Sequence, residues 1–167
     1  MGFEALDFLV VDDHAIARSI VADIARATGV RSLREAEDGQ TAFDMIRQRV
    51  PDIVILDFAM PHDGVALLRR IRSGPANLDP TLAVIAMTAY TDRRRVEMLR
   101  DAGANEIIAK PLTVGSLLAR IVSVVDQPRR FVTSGTYFGP DRRRRRFGGY
   151  AGPLRRRDDA HMTIDVA

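Results

Sequence analysis

Five residues in the first two thirds of the chain have the types needed to handle a phosphoryl group: Asp12, Asp13, Asp57, Thr88 and Lys110. Three carboxylates gathered in one place repel one another unless a cation sits among them. A site offering only oxygen ligands, with no His or Cys, suits a hard ion that keeps part of its water shell, and Mg²⁺ fits best. With the cation in place, one carboxylate can stay ionised and attack phosphorus. Asp57 is the candidate nucleophile because it stands alone at the end of an apolar run. Phosphoryl transfer asks for positioned positive charge rather than covalent help, so a point-charge ammonium is expected nearby. Lys110 supplies it, and it is the only lysine in a chain whose other basic residues are all arginine. Thr88 can donate its hydroxyl to a phosphoryl oxygen.

These residues converge only if the elements between them place them at one edge. Asp7–Val11 is an apolar run that ends on Asp12-Asp13, as a buried parallel strand would. Ile53–Leu56 ends on Asp57, Leu82–Met87 on Thr88, and Glu106–Ala109 on Lys110. A weaker strand is expected near Ser32–Ala36. Between the strands, apolar residues recur at helical spacing: Ile16, Ile20, Val21 and Ile24; Ala42, Phe43, Ile46 and Val50; Val65, Leu68 and Ile71; Val96 and Leu99; Leu117, Leu118, Ile121 and Val125. Gly29 and Ala102-Gly103 are expected helix stops, Pro51 ends the second helix, and Asp92 and Thr113 are expected N-caps. Five strands alternating with five helices, joined by right-handed crossovers, give a parallel sheet covered on both faces. In such sheets ligands bind beyond the carboxyl ends of the strands.

With these pieces in place, the chain resembles the response-regulator receiver family, of which the chemotaxis protein CheY is the single-domain type. The resemblance rests on Val10-Val11-Asp12-Asp13, Leu56-Asp57-Phe58-Ala59-Met60-Pro61, Met87-Thr88-Ala89 and Lys110-Pro111-Leu112, and it covers residues 1–126. It implies a doubly wound, five-stranded flavodoxin-like fold. It also implies Mg²⁺ held by Asp12, Asp13, Asp57 and the carbonyl of Ala59, phosphotransfer to Asp57 from a histidine kinase or phosphotransfer protein, and a cis Lys110-Pro111 bond. Two departures stand out. The loop Met60-Pro61-His62-Asp63-Gly64 is one residue shorter than the family's usual spacing, and Ile107 replaces the family's switch aromatic. Tyr90, two residues beyond Thr88, is a candidate modulator of access to the phosphoryl group.

Charge divides the chain. Residues 1–127 hold 15 basic and 18 acidic side chains, whereas residues 128–167 hold ten arginines and four aspartates. The segment 127–167 is therefore read as a basic extension with an anionic partner. Arg129-Arg130-Phe131-Val132 alternates enough for a short strand, and Tyr137-Phe138-Gly139-Pro140-Asp141 leads into Arg142, Arg143, Arg144, Arg145 and Arg146. Too little apolar material is present for a core of its own, so partial disorder is expected, with a plain terminus after Arg155–Asp159. An arginine fork can pair guanine O6 and N7 and its plane can stack on bases. A carboxylate such as Asp141 can accept from the guanine N1–H and N2–H₂ edge. The extension is similar to that of the Cle proteins, CheY-like effectors whose arginine-rich segment binds cyclic di-GMP. That resemblance implies a ligand site drawn from Arg129, Arg130, Tyr137, Phe138, Asp141 and Arg142–Arg146, and docking on a target such as a flagellar motor switch component.

Two rival readings remain: a basic nucleic-acid-binding extension, and a phosphate sink that needs Asp57 alone. No helix-turn-helix is visible for the first. His14, His62 and His161 lack metal-ligand spacing, Ser19 and Ser116 have no partner base, and no glycine-rich phosphate loop occurs. The chain is thus expected to be a stoichiometric phosphoacceptor rather than a turnover enzyme. The absence of cysteine excludes disulfides and thiolate metal sites, and the absence of a long apolar span argues against membrane insertion. A cytoplasmic setting follows as the expectation.

Overall fold

The computed structural model describes residues 3–60, 63–75, 78–90, 92–142 and 162–164. Five strands, β1 (Asp7–Val11), β2 (Ser32–Ala36), β3 (Ile53–Asp57), β4 (Ala83–Thr88) and β5 (Glu106–Ala109), alternate with five helices. The helices are α1 (Ala15–Ala27), α2 (Gly39–Gln48), α3 (Asp63–Arg72), α4 (Arg93–Asp101) and α5 (Val114–Asp126). All strand pairs are parallel, in the order β2-β1-β3-β4-β5. This is the doubly wound α/β sheet that the alternation of elements implies.

The continuous apolar runs follow from burial on both faces. Side chains alternate across the sheet, so Leu9, Val11, Val54, Leu56, Val84 and Ala86 pack with Phe43, Ile46, Leu68, Ile71 and Leu99 of α2, α3 and α4. Phe8, Val10, Ile53, Ile55, Ile85 and Met87 pack on the other side with Val21, Ala25, Leu117 and Ile121 of α1 and α5. Helix starts are fixed locally. Asp38 and Asp92 accept from Thr41 and Arg95 N–H groups, and Thr113 forms a capping box with Ser116. Gly29 and Gly103 take positive φ just past their helices, as stops of this kind require.

The structure corrects several expectations. Ile16 and Ile20 have helical spacing but are 68% and 54% exposed, because α1 buries Val21, Ala22 and Ala25 instead. Val50 lies beyond the end of α2 and is exposed. The short strand expected at Arg129–Val132 is present but displaced, as β6 (Phe131–Ser134), and it forms a hairpin with β7 (Tyr137–Pro140), turning at Gly135 with φ +57°. The terminus is not plain: β8 (Met162–Ile164) pairs antiparallel with β6, completing a second sheet in the order β7-β6-β8. No described helix is long and apolar enough to cross a membrane.

Candidate functional site

Four strands end on the polar residues singled out from the sequence, and the parallel sheet gathers them at its carboxyl edge. Asp12 leaves β1 fully buried, with its N–H donated to the Ala36 carbonyl. Its Oδ1 accepts the His14 N–H at 2.9 Å, and Arg18 donates to its carbonyl at 2.7 Å. Asp13 is exposed beside it. Asp57, last residue of β3, is buried and accepts the Ala59 N–H on Oδ1 at 3.2 Å. Gly64 of α3 has no room for a side chain here: a Cβ would sit 2.7 Å from the Asp57 carbonyl oxygen. One carboxylate oxygen from each of Asp12, Asp13 and Asp57 lies within 4.8 Å of the others. That donor set, all oxygen and all anionic, fits a hard divalent cation.

Lys110 follows β5 and reaches across the edge. Its Nζ lies 3.0 Å from Asp57 Oδ2 and donates to Asp12 Oδ2 at 3.1 Å. Burial opposes the ammonium charge, but the hydrogen bonds and attraction of Asp57, then Asp12, outweigh it and hold the Lys110 pKa above its ordinary value. Its N–H is donated to the Thr88 carbonyl, and the Lys110-Pro111 peptide is cis, as expected.

Thr88 is buried at the end of β4, but its hydroxyl is turned onto its own loop. It donates to the Tyr90 carbonyl and accepts the Tyr90 N–H, both at 3.0 Å. Tyr90 is half exposed, with the Arg95 guanidinium 3.4 Å from its ring centroid. Two supports of this edge escaped the sequence reading: His14, whose Nδ1 caps α1 by accepting from Ala17, and Arg95 over Tyr90. A His just before an apolar-periodic segment is a weak capping signal, and one arginine among 24 carries none. Ile107 packs against the cluster on the α2–α4 face. Pro61 and His62 of the shortened loop lie outside the described residues.

The arrangement is a cation-ready carboxylate cluster with a buried strand-end aspartate under an ammonium. The response regulator receiver domain family matches residues 8–122. The chain belongs to that family. This receiver is 32% identical over 122 residues to a probable chemotaxis protein CheY from Rhizobium etli, covering 72% of the chain and 93% of that relative. It is 34% identical to the transcriptional regulatory protein PdtaR of Mycobacterium tuberculosis, again over 72% of the chain, but spans only 57% of that protein. Among solved structures it is similar to the CheX-CheY-BeF₃-Mg²⁺ complex from Borrelia burgdorferi, with TM-score 0.63 and 29% identity, covering 72% of this chain and 89% of that one.

The basic extension begins at the opposite edge of the receiver. Arg129 pairs with buried Glu106, the first residue of β5, at 2.8 Å; Arg120 and Ser123 of α5 reach the same carboxylate. Arg142 pairs with Asp101, the last residue of α4, at 3.0 Å, and its guanidinium lies 4.2 Å from the Tyr137 ring centroid. Burial pushes the Tyr137 phenol up despite Arg142, and its hydroxyl donates to the Pro140 carbonyl. Phe138 packs on Phe131 with ring centroids 5.5 Å apart. The Asp141 N–H is donated to the Arg130 carbonyl. So Arg129, Arg130, Tyr137, Phe138, Asp141 and Arg142 come together around one hairpin, well away from Asp57. Arg143, Arg144, Arg145 and Arg146 lie outside the described residues.

Proposed function

We propose that this receiver is a stoichiometric phosphoacceptor acting as a cytoplasmic signalling adaptor, phosphorylated on Asp57 by a histidine kinase or phosphotransfer protein. Support comes above all from the convergence of three aspartates within 4.8 Å, with Lys110 3.0 Å from the buried one. An Asp57 carboxylate oxygen attacks phosphorus, a P–O bond forms, and the donor histidine's P–N bond breaks, with the imidazole leaving. Asp12, Asp13 and Asp57, with the Ala59 carbonyl, would hold Mg²⁺, which would supply charge neutralisation for the phosphoryl group. Lys110 offers its ammonium to a phosphoryl oxygen. Thr88 contributes only after its hydroxyl proton leaves the Tyr90 carbonyl, so loading the pocket frees an acceptor in the β4–α4 loop. Incubation with acetyl phosphate and Mg²⁺ should give a phosphoryl adduct that hydroxylamine removes. An adduct retained by Asp57→Asn overturns the assignment.

The second input in this reading is cyclic di-GMP, bound by the arginine-rich extension. Output passes through protein contact, such as a flagellar motor switch component controlling motility or attachment. Arginines, two aromatics and Asp141 in one short segment favour a compact guanine-phosphate ligand over a polymer. Calorimetry on the full chain is expected to show saturable binding. No heat with cyclic di-GMP, together with steeply salt-dependent binding to DNA or RNA, replaces this reading by nucleic-acid binding. If the extension can be altered without consequence, a phosphate sink remains.

A further inference from the structure

Arg72, the last residue of α3, is 6% exposed, and among the described residues its hydrogen bonds go to carbonyl oxygens. Nε donates to the Gly103 carbonyl at 2.9 Å, and Nη1 to the Pro80 and Leu82 carbonyls, both at 2.7 Å. Nη2 donates to Asn105 Oδ1 at 2.7 Å, an oxygen that also accepts the Val84 N–H. Burial drags the guanidinium pKa down to about 9, which still leaves it charged at neutral pH. Asp79 attracts this charge, but the hydrogen bonds described go to neutral acceptors, a costly arrangement for a buried cation, and the extension covers it from another side. Phe131, 1% exposed, lies 5.1 Å from the guanidinium, with Phe138 behind it. A cation over an aromatic ring gains most when both are shielded from water.

Three more contacts hold the hairpin down. Gly139 lies so close to Gly103 that a Cβ on it would come within 3.0 Å of the Gly103 Cα, and within 2.5 Å of the Tyr137 hydroxyl. The ion pairs Arg129–Glu106 and Arg142–Asp101 flank this contact. All of these anchors sit at the far ends of elements that carry the pocket. Helix α3 has Gly64 in its first turn against Asp57 and ends at Arg72; strand β5 starts at Glu106 and ends one residue before Lys110; helix α4 follows the Thr88–Tyr90 segment and ends at Asp101. A ten-residue helix spans about 15 Å, so the pocket and the hairpin occupy opposite ends of the same closely packed rods.

We propose that residues 129–142 are a clasp belonging to the receiver's folding unit, and that docking of this hairpin is coupled to loading of the phosphorylation pocket. The proposal rests on the phosphoacceptor reading of the pocket but not on the identity of the ligand bound by the extension. Coupling of this kind is reciprocal: loading the pocket alters hairpin docking, and undocking the hairpin alters pocket affinity.

The test uses the full chain, with Mg²⁺ and beryllofluoride as the probe of the pocket. In the wild type, saturating probe should shift the amide resonances of Gly103, Asn105 and Gly139 as well as those around Asp57. Gly139→Val pries the hairpin off Gly103, and Phe131→Ala removes the ring over Arg72, without altering a pocket residue. Each should change beryllofluoride affinity by about fivefold or more. Clasp resonances that stay still while the pocket loads, with unchanged affinity in both variants, overturn the coupling alone. A wild-type chain that never loads overturns the pocket reading, and the coupling with it.

Discussion

The Lys110 ammonium lies 3.0 Å from Asp57 Oδ2, and this pairing joins the end of β5 to the end of β3 across the intervening β4. The same ammonium touches Asp12, so it competes with any divalent cation for the carboxylate cluster. Lys110→Met should therefore bind Mg²⁺ more tightly, by roughly twofold to fivefold, as read by calorimetry. Weaker Mg²⁺ binding in the variant would show that the ammonium organises the cluster rather than competing within it.

Asp57→Asn removes one of three crowded carboxylates and the proposed nucleophile together. Phosphoryl uptake from acetyl phosphate should disappear, while thermal stability is kept or raised because carboxylate repulsion is relieved. Mass spectrometry of the treated protein checks the first point and a melting curve the second. A variant that unfolds would assign Asp57 a structural role that the proposed chemistry does not need.

Acid should weaken the fold through Asp7. Burial opposes its charge, but hydrogen bonds from Ser32 and Arg34, with attraction from Arg34 and Arg49, hold its carboxyl below the ordinary 3.8. The Thr41 N–H and hydroxyl do the same for Asp38. A folded pKa below the unfolded one means that the unfolded chain binds more protons in acid. The stability these groups contribute is full above the unfolded value near 3.8 and is lost as pH falls through the folded value. Melting temperature against pH should show this limb in the wild type and a shallower one in Asp7→Asn. An identical limb in both would move the acid sensitivity elsewhere.

The clasp carries its own stability signature. Truncating a fully buried aromatic costs about 3–5 kcal/mol, so Phe131→Ala should lower the denaturation midpoint of the whole receiver in a single transition. Phe138→Ala, at a half-buried ring, should cost less. A separate early transition in Phe131→Ala, with the main one unmoved, would make the hairpin an independent appendage.

The pocket was legible because its signal is local. Strands buried on both faces must be apolar throughout, so Asp12, Asp57, Thr88 and Lys110 stand out where those runs stop, and capping residues such as Asp92 and Thr113 act within one turn. Periodicity alone misjudged α1: Ile16 and Ile20 fit the spacing, yet the packed face is the one carrying Val21 and Ala25. Three-residue β8 left no sequence signal, since only pairing with β6 makes it a strand. Gly135 closes the hairpin at a positive φ, but a single glycine does not reveal which strand the turn returns to.

By itself the sequence determined the order of elements, the parallel sheet and the five residues at its carboxyl edge, because burial and capping are written into neighbouring positions. Only the tertiary structure decided that the Thr88 hydroxyl is held by Tyr90, that Glu106 gathers Arg120 and Arg129, and that Phe131 covers Arg72. Glu106 and Arg129 are 23 residues apart and Arg72 and Phe131 lie farther apart still, in a chain with 24 arginines. Which guanidinium is buried, and against which ring, is settled by the packing of α3, α4 and β5, not by the residues beside it.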